Sequence, residues 1–398
     1  MDDKLDAHQE EGTWEIVDLP PGKSVVGSRL VYKVKTKSDG DFERCKSRII
    51  AKGYTQEYGV DYEEIFALVA RMVTVRTLLV VAAVRQWGLH QMDVKNAFLH
   101  DELQEEVYMQ PPSGLPHGPN QVCKLRRALY GLKQAPRAWF EKFSNAIIQY
   151  GVSQISYDSA MFARSSVNGI VIFLLYVDDI FITGSDTQGI IHLKSYLSNC
   201  FKMKYLGTLR YFLGTEVGTS STGYFISKVK YASKIIQRAG LSDNKVIDIP
   251  LELNVKYSPT DGTLLPNPTL YRQLEGSLNY LTITRPYISH DVHIVSQFMS
   301  VPRSTHYAAV LRILRYIKGS LYQGMCFSSK SDLTLRAYSD FDSAGDVTNR
   351  RSITGYCVFL GDSLISWRSK KQSVVSRSSA EAEYRSLAHT TSELIWLR

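Results

Sequence analysis

Ile170-Val171-Ile172-Phe173-Leu174-Leu175-Tyr176-Val177-Asp178-Asp179-Ile180-Phe181-Ile182-Thr183-Gly184 sets two adjacent carboxylates between two apolar runs. Each run has the length and the β-branched, aromatic content of a buried strand, and the short break between them predicts a hairpin with the aspartates at its bend. Asp-Gly or Asn-Gly would suit such a bend better. Like charges side by side at the rim of a core break a local rule, which is expected where a bound cation supplies the compensation.

Working outward, Leu89 to Asp93 reads as a short strand that turns into a helical segment at Ala97-Phe98. Asp93 taken singly is a turn or cap residue; it gains meaning only beside Asp178 and Asp179. Upstream, Lys46-Ser47-Arg48-Ile49-Ile50-Ala51-Lys52 alternates so that Lys46, Arg48 and Lys52 share one face, either a solvated strand face or a cradle for a triphosphate. Thr74 to Gln86 is a helix stopped by Gly88. A second begins near Pro136, with Trp139, Phe143, Ile147 and Tyr150 as a core stripe.

Downstream, Tyr211 to Val217 and Gly223 to Ile226 flank a Gly/Ser/Thr cluster, predicting a second hairpin. Lys230, Lys234 and Arg238 then recur every fourth residue opposite Tyr231, Ile235 and Ala239, a surface stripe or a helix lying along a phosphate backbone. Pro250 to Pro268 reads as a linker, followed by helices over 274–284, 289–299 and 305–318. The last part predicts three strands and a helix over 378–397, with Asp340 ending the first strand. Ser378 and Glu381 have capping-box spacing, and Glu383 falls on the expected core-facing stripe, where a carboxylate is costly unless it binds something.

The chain of 398 residues is 44% hydrophobic and can build two or three cores. A net charge of +8 favours an acidic partner such as nucleic acid. Five scattered cysteines indicate neither a disulfide framework nor a zinc cluster. The acidic start, Met1-Asp2-Asp3, and the interruption of the best apolar run at Asp178 argue against secretion and membrane insertion. The expected location is intracellular, in a cytoplasmic particle or the nucleus.

Together with Ala51-Lys52-Gly53-Tyr54-Thr55-Gln56, Gln91-Met92-Asp93-Val94-Lys95-Asn96-Ala97-Phe98-Leu99, Leu129-Tyr130-Gly131-Leu132-Lys133-Gln134-Ala135-Pro136, Tyr176-Val177-Asp178-Asp179 and Ser378-Ser379-Ala380-Glu381-Ala382-Glu383-Tyr384, the chain resembles the reverse transcriptase of copia-type long-terminal-repeat retrotransposons followed by the start of its RNase H domain. The resemblance implies an α+β right-hand polymerase: an N-terminal tail (1–12), fingers, palm and the start of a thumb (13–250), a linker and connection helices (251–330), and a partial RNase H-like α/β domain (331–398). It implies that Asp93, Asp178 and Asp179 hold two Mg²⁺ ions, or Mn²⁺ in their place, for transfer of deoxynucleotides onto a primer paired with an RNA or DNA template.

By the same resemblance Lys46, Arg48 and Lys52 would contact the triphosphate. Phe98 would stand under the incoming sugar, although a core phenylalanine reads equally well there. Phe212-Leu213-Gly214 would grip the primer, and Lys230, Lys234 and Arg238 would face the duplex. Asp340 and Glu383 would be half of an RNase H site, whose other acids are expected beyond Arg398. The sequence departs from the family pattern at Leu68 (usually Pro), Tyr205 and Tyr287 (usually Asp) and Ser343 (usually Trp). With that ending, these departures motivate a rival reading: a non-catalytic retrotransposon relic that at most binds nucleic acid.

Overall fold

The computed structural model describes residues 8, 12–36, 41–59, 61–64, 69–100, 102–253 and 255–398. The expected N-terminal tail and the Leu68 departure lie outside them, apart from His8 and Gly12, as does the side chain of Lys46. The chain forms two compact units, one of residues 1–70 and 90–207, the other of 71–89 and 208–398. Compactness thus divides the chain differently from the functional segments implied by the resemblance, because α1 (Met72–Arg85) belongs with the later part.

The first unit is organised by a six-stranded sheet in the order β12 (Met203–Thr208), β5 (His90–Val94), β11 (Asp179–Gly184), β10 (Gly169–Tyr176), β9 (Asp158–Ser166) and β8 (Ser153–Ile155). The expected hairpin is β10 and β11, paired from Val171 opposite Gly184 to Tyr176 opposite Asp179. Phe173, Leu175, Ile180 and Ile182 share one face of it and join a core with Trp139, Phe143 and Ile147 of α2 (Ala135–Gln149) and Leu193 and Leu197 of α3 (Thr187–Cys200). Leu174 and Phe181, on the other face, are equally buried, which accounts for unbroken apolar runs rather than alternation.

Two smaller sheets complete this unit. One orders β1 (Trp14–Asp18), β7 (Gln121–Arg127), β6 (Glu102–Met109) and β2 (Val25–Val26); the other is the ribbon of β3 (Ser28–Thr36) and β4 (Phe42–Ala51). The end of β4 meets the segment before α2 backbone to backbone. A Cβ on Gly131, at φ +96°, would lie 2.1 Å from the Ala51 carbonyl, and one on Gly53 2.1 Å from the Gly131 carbonyl. Gln56 and Gln134 seal that junction: Gln56 Nε2 donates to Gln134 Oε1 at 3.1 Å, and the Lys133 amide donates to Gln56 Oε1 at 3.0 Å. The two sequence motifs that contain these residues are therefore halves of one lock.

In the second unit, β13 (Tyr211–Phe212), β14 (Thr215–Ser220), β15 (Gly223–Ser227) and β16 (Met325–Ser328) form an antiparallel sheet. The expected single hairpin is thus two successive ones. A helical core joins Ile235 of α4 (Val229–Arg238), Tyr271 and Leu278 of α5 (Pro268–Leu281), Val292 of α6 (Ser289–Ser296) and Ile313 of α7 (Ser304–Gly319). The described residues of the 250–267 linker lack helix and strand, yet Leu251, Tyr257 and Leu265 pack on that core. A three-stranded sheet of β17 (Leu335–Phe341), β18 (Ile353–Leu360) and β19 (Ser363–Lys371) carries α8 (Ser379–Leu397).

α1 ends at Arg85, one residue before the expected end at Gln86, and its stop is Gln86 rather than Gly88: Gln86 takes the left-handed conformation, φ 56°, and its N–H caps the Ala82 and Ala83 carbonyls. Ser378 caps α8 as expected, its hydroxyl accepting from the Glu381 N–H. Glu383, however, is exposed. The stripe against the sheet is Ala382, Ser386 and Thr390, one residue out of phase with the expected one, because the small side chains are those that let the helix approach.

Candidate functional site

β5 and β11 run antiparallel with Asp93 directly opposite Asp179. Residues so paired point to the same face with Cβ atoms about 4.5–5.5 Å apart, so register alone makes two carboxylates like-charged neighbours, a destabilising pair. Asp178 is the second residue of the two-residue turn. Val177, the first, has φ +56°, while Asp178 keeps negative φ, the pattern of a II′ turn. The bend thus holds one aspartate, and the other begins the returning strand.

Both peptide groups flanking Asp178 are held. Trp139 Nε1 on α2 donates to the Val177 carbonyl at 2.6 Å, and the Asp178 carbonyl accepts from the Val94 N–H at 2.8 Å. Asp179, half-buried, takes a hydrogen bond from Gln91 Nε2 at 3.1 Å. Burial above all, then the charges of Asp178 and Asp93, push its carboxyl up to about 6 against that bond.

Asp93 and Asp178 open on a cleft of about 580 Å³ lined also by Arg48, Tyr130, Lys95 and Lys204. The Arg48 guanidinium carbon lies 5.1 Å from the centroid of the Tyr130 ring. The Tyr130 phenol is raised by burial and by Asp178, while Arg48 counters. The cleft therefore sets two carboxylates against three cations, a distribution suited to an anion that arrives with its own metal.

The donor set fits a hard divalent cation: carboxylate oxygens only, two on one cleft and a third beside them. In the present side-chain arrangement no three acids, histidines or cysteines among the described residues are grouped to hold an ion. Asp179 is turned to Gln91, so Asp93 and Asp178 are the pair that faces the cleft.

Of the expected triphosphate contacts, Arg48 lines this cleft and Lys52 does not. Phe98 is buried in the core, its ring edge-on to Tyr130 with centroids 4.7 Å apart; Tyr130 is the member of that pair that reaches the cleft. Periodicity placed Trp139 in a core stripe but gave it no role at the site, and Tyr130, Gln91 and Lys204 were not singled out by charge or periodicity. The placement of Tyr130 and Gln91 within quoted motifs was the one signal that pointed to them.

In the second unit Phe212 is buried, and Leu213 and Gly214, at φ 49° and 68°, form the turn between β13 and β14. Tyr280 Oη donates to the Leu213 carbonyl at 2.6 Å, and Lys228 Nζ does so at 3.4 Å. Lys230, Lys234 and Arg238 are exposed along α4, whose other side is buried. Asp340 and Glu383 are both exposed, and the Asp340 carbonyl, not its carboxylate, takes the bond from Ser386 at 2.8 Å. Tyr205 sits 3.1 Å from His90 Nδ1, Tyr287 accepts from buried Arg285 at 2.6 Å, and Ser343 is exposed, so the two tyrosine departures carry their own polar contacts.

Residues 11–253 match the family of reverse transcriptases (RNA-dependent DNA polymerases). The chain is 43% identical over 400 residues to the retrovirus-related Pol polyprotein from transposon RE1 of Arabidopsis thaliana, and 39% identical over 412 residues to that from transposon TNT 1-94 of Nicotiana tabacum. All of this chain is covered in both, against 27% and 31% of those polyproteins, so it spans under a third of their length. A putative transposon Ty5-1 protein of Saccharomyces cerevisiae matches over its whole length, at 30% identity and 76% of this chain. Among solved structures, the foamy viral protease-reverse transcriptase in complex with double-stranded DNA aligns with 98% of this chain and 59% of its own at a TM-score of 0.47 and 12% identity. Among the described residues no helix is long and apolar enough to cross a membrane. By the family match and these full-length similarities, the chain belongs to the reverse transcriptase (RNA-dependent DNA polymerase) family, in the line of copia-type retrotransposon Pol polyproteins.

Proposed function

We propose that this chain polymerises DNA on an RNA or DNA template at Asp93, Asp178 and Asp179. The observation that carries the reading is the register of β5 against β11, which sets Asp93 opposite Asp179, next to the Asp178 that shares a cleft with Asp93 and Arg48. At an effective dielectric of ~20, two such charges ~4 Å apart repel by ~4 kcal/mol, so the cluster is poor scaffold and good cation binder. Asp93 and Asp178 would hold two Mg²⁺ ions, with Asp179 supporting. Bound there, the metal supplies Lewis acidity to activate the primer 3′-hydroxyl and to neutralise the departing pyrophosphate.

The chain's own residues do the rest. Arg48 offers a guanidinium fork for a phosphate oxygen pair, and Lys95 and Lys204 add positive potential to the cleft. Tyr130, backed by Phe98, presents a flat wall where a nucleotide sugar would stand, a rigid surface suited to excluding a 2′-hydroxyl. Within this reading the six-stranded sheet is the palm, the β3–β4 ribbon belongs to the fingers, the turn at Leu213-Gly214 meets the primer, α4 faces the duplex, and residues 331–398 are RNase H-like. Template bases supply sequence by pairing, so protein contacts are mainly electrostatic.

The test is primer extension by the full chain on an RNA template with Mg²⁺. Incorporation is expected, and Asp178→Asn is expected to lower it by about 10²-fold or more. Salt-sensitive binding of primer–template by folded protein without incorporation would replace this reading with the non-catalytic binder.

A further inference from the structure

We propose that Trp139 is a positioning residue that fixes the Asp178 carboxylate by clamping the strained peptide before it. The inference rests on the polymerase reading for its purpose and on the geometry of the hairpin for its substance.

Val177 occupies the first position of the turn, where φ is positive and glycine is the favoured residue. A β-branched residue at φ +56° is an outlier that persists only where its surroundings over-determine it. The II′ form also competes with other two-residue turns, and exchange between them would swing the Val177–Asp178 peptide and re-aim the Asp178 side chain. Something must hold that peptide, and the indole does. Trp139 Nε1 donates to the Val177 carbonyl at 2.6 Å, at the short end of such bonds.

The donor is itself immobile. Trp139 is 1% exposed and packs against Phe143 and Phe201, with ring centroids 5.6 and 5.2 Å away. On the other side of Asp178, the peptide carbonyl is held by the Val94 N–H, one residue past Asp93. The Asp178 Cα is therefore suspended between two pinned peptide planes. One is tied to the strand that carries Asp93, the other to α2. Asp93 and Asp178 can then face one cleft at a fixed separation without a metal to gather them. A core tryptophan needs only apolar neighbours; the bond to a strained carbonyl is what adds a purpose.

The test compares the wild-type full chain with Trp139→Phe, which keeps the aromatic packing and removes the N–H. A second variant replaces the indole with benzothiophene by incorporating β-(3-benzothienyl)alanine, which keeps shape and deletes only the donor. Mn²⁺ binding is read by electron paramagnetic resonance without nucleotide or primer, and steady-state extension is measured in parallel. The expected result is a weakening of Mn²⁺ binding of about tenfold in either variant that keeps the wild-type melting transition. Extension should lose kcat with KM for nucleotide nearly unchanged, and added Mn²⁺ should partly restore it. Unaltered Mn²⁺ affinity in the benzothienyl variant would overturn the proposal, as would a wild type that binds no Mn²⁺. If the wild type binds Mn²⁺ and loses it on donor deletion but extends no primer, the positioning role stands and the polymerase reading fails.

Discussion

Lys228 shows how much this fold spends on holding one turn. It is 1% exposed, its ammonium lies 3.5 Å from the centroid of the Tyr280 ring, and it donates to the same Leu213 carbonyl that Tyr280 Oη bonds. Burial lowers its pKa from 10.5 to about 7. The unfolded chain binds the proton up to about 10.5 and the folded chain only up to about 7, so Lys228 makes stability rise with pH across that window and become flat below it. Lys228→Met should remove this component, which chemical denaturation at a series of pH values between 7 and 10 would detect as a shallower pH dependence than wild type. A turn of Leu213-Gly214 with both residues left-handed explains the expense, since leucine there is strained and its carbonyl would otherwise be free to rotate. Sequence periodicity placed a hairpin in this region but not the clamp, because nothing in a lone lysine before an amphipathic helix says that it points inward.

At the scale of elements, patterns that repeat were readable and patterns that depend on a partner were not. The β10–β11 hairpin and α4 follow from apolar runs and fourfold spacing, and both stand where the sequence put them. The pairing of Asp93 with Asp179 is a matter of register between distant strands, which no local signal encodes; the family resemblance supplied it. Glu383 missed its face by one residue because Ala382, Ser386 and Thr390 form a stripe of small side chains that a hydrophobicity pattern does not register. The exposed stripe of α4 makes a prediction of its own. Replacing Lys230, Lys234 and Arg238 together with alanine removes charge without touching Ile235 or Ile236 in the core, so melting should be unchanged. If the stripe lies on a phosphate backbone, the slope of log affinity for duplex against log salt should fall by about 0.9 for each lost contact. A slope equal to wild type would assign the stripe to solvent.

For the molecule as a whole, the informative fact is that the second unit is discontinuous in sequence. α1 precedes the Asp93 strand in the chain, yet it packs on β15, β16 and β19, all after residue 208. Arg76, 5% exposed, donates to the Ile365 carbonyl at 2.6 Å and the Ile283 carbonyl at 3.2 Å, and its guanidinium lies 4.1 Å from the centroid of the Trp367 ring. Arg71 adds a second stacking contact on Trp396 at 4.6 Å. One helix thereby ties the helical core, the β17–β19 sheet and α8 together through polar bonds made in a buried setting, where burial lowers the Arg76 pKa to about 9. Removing such a partner leaves buried carbonyls unsatisfied and an apolar face uncovered, each at a cost of about 1–3 kcal/mol per polar group. Residues 208–398 expressed alone should consequently bind a hydrophobic dye and unfold without a cooperative transition. Adding a synthetic peptide of residues 71–89 in trans should restore a sigmoidal melt and displace the dye. A cooperative melt of 208–398 without the peptide would show that α1 and its Arg76 bonds are dispensable to the second unit.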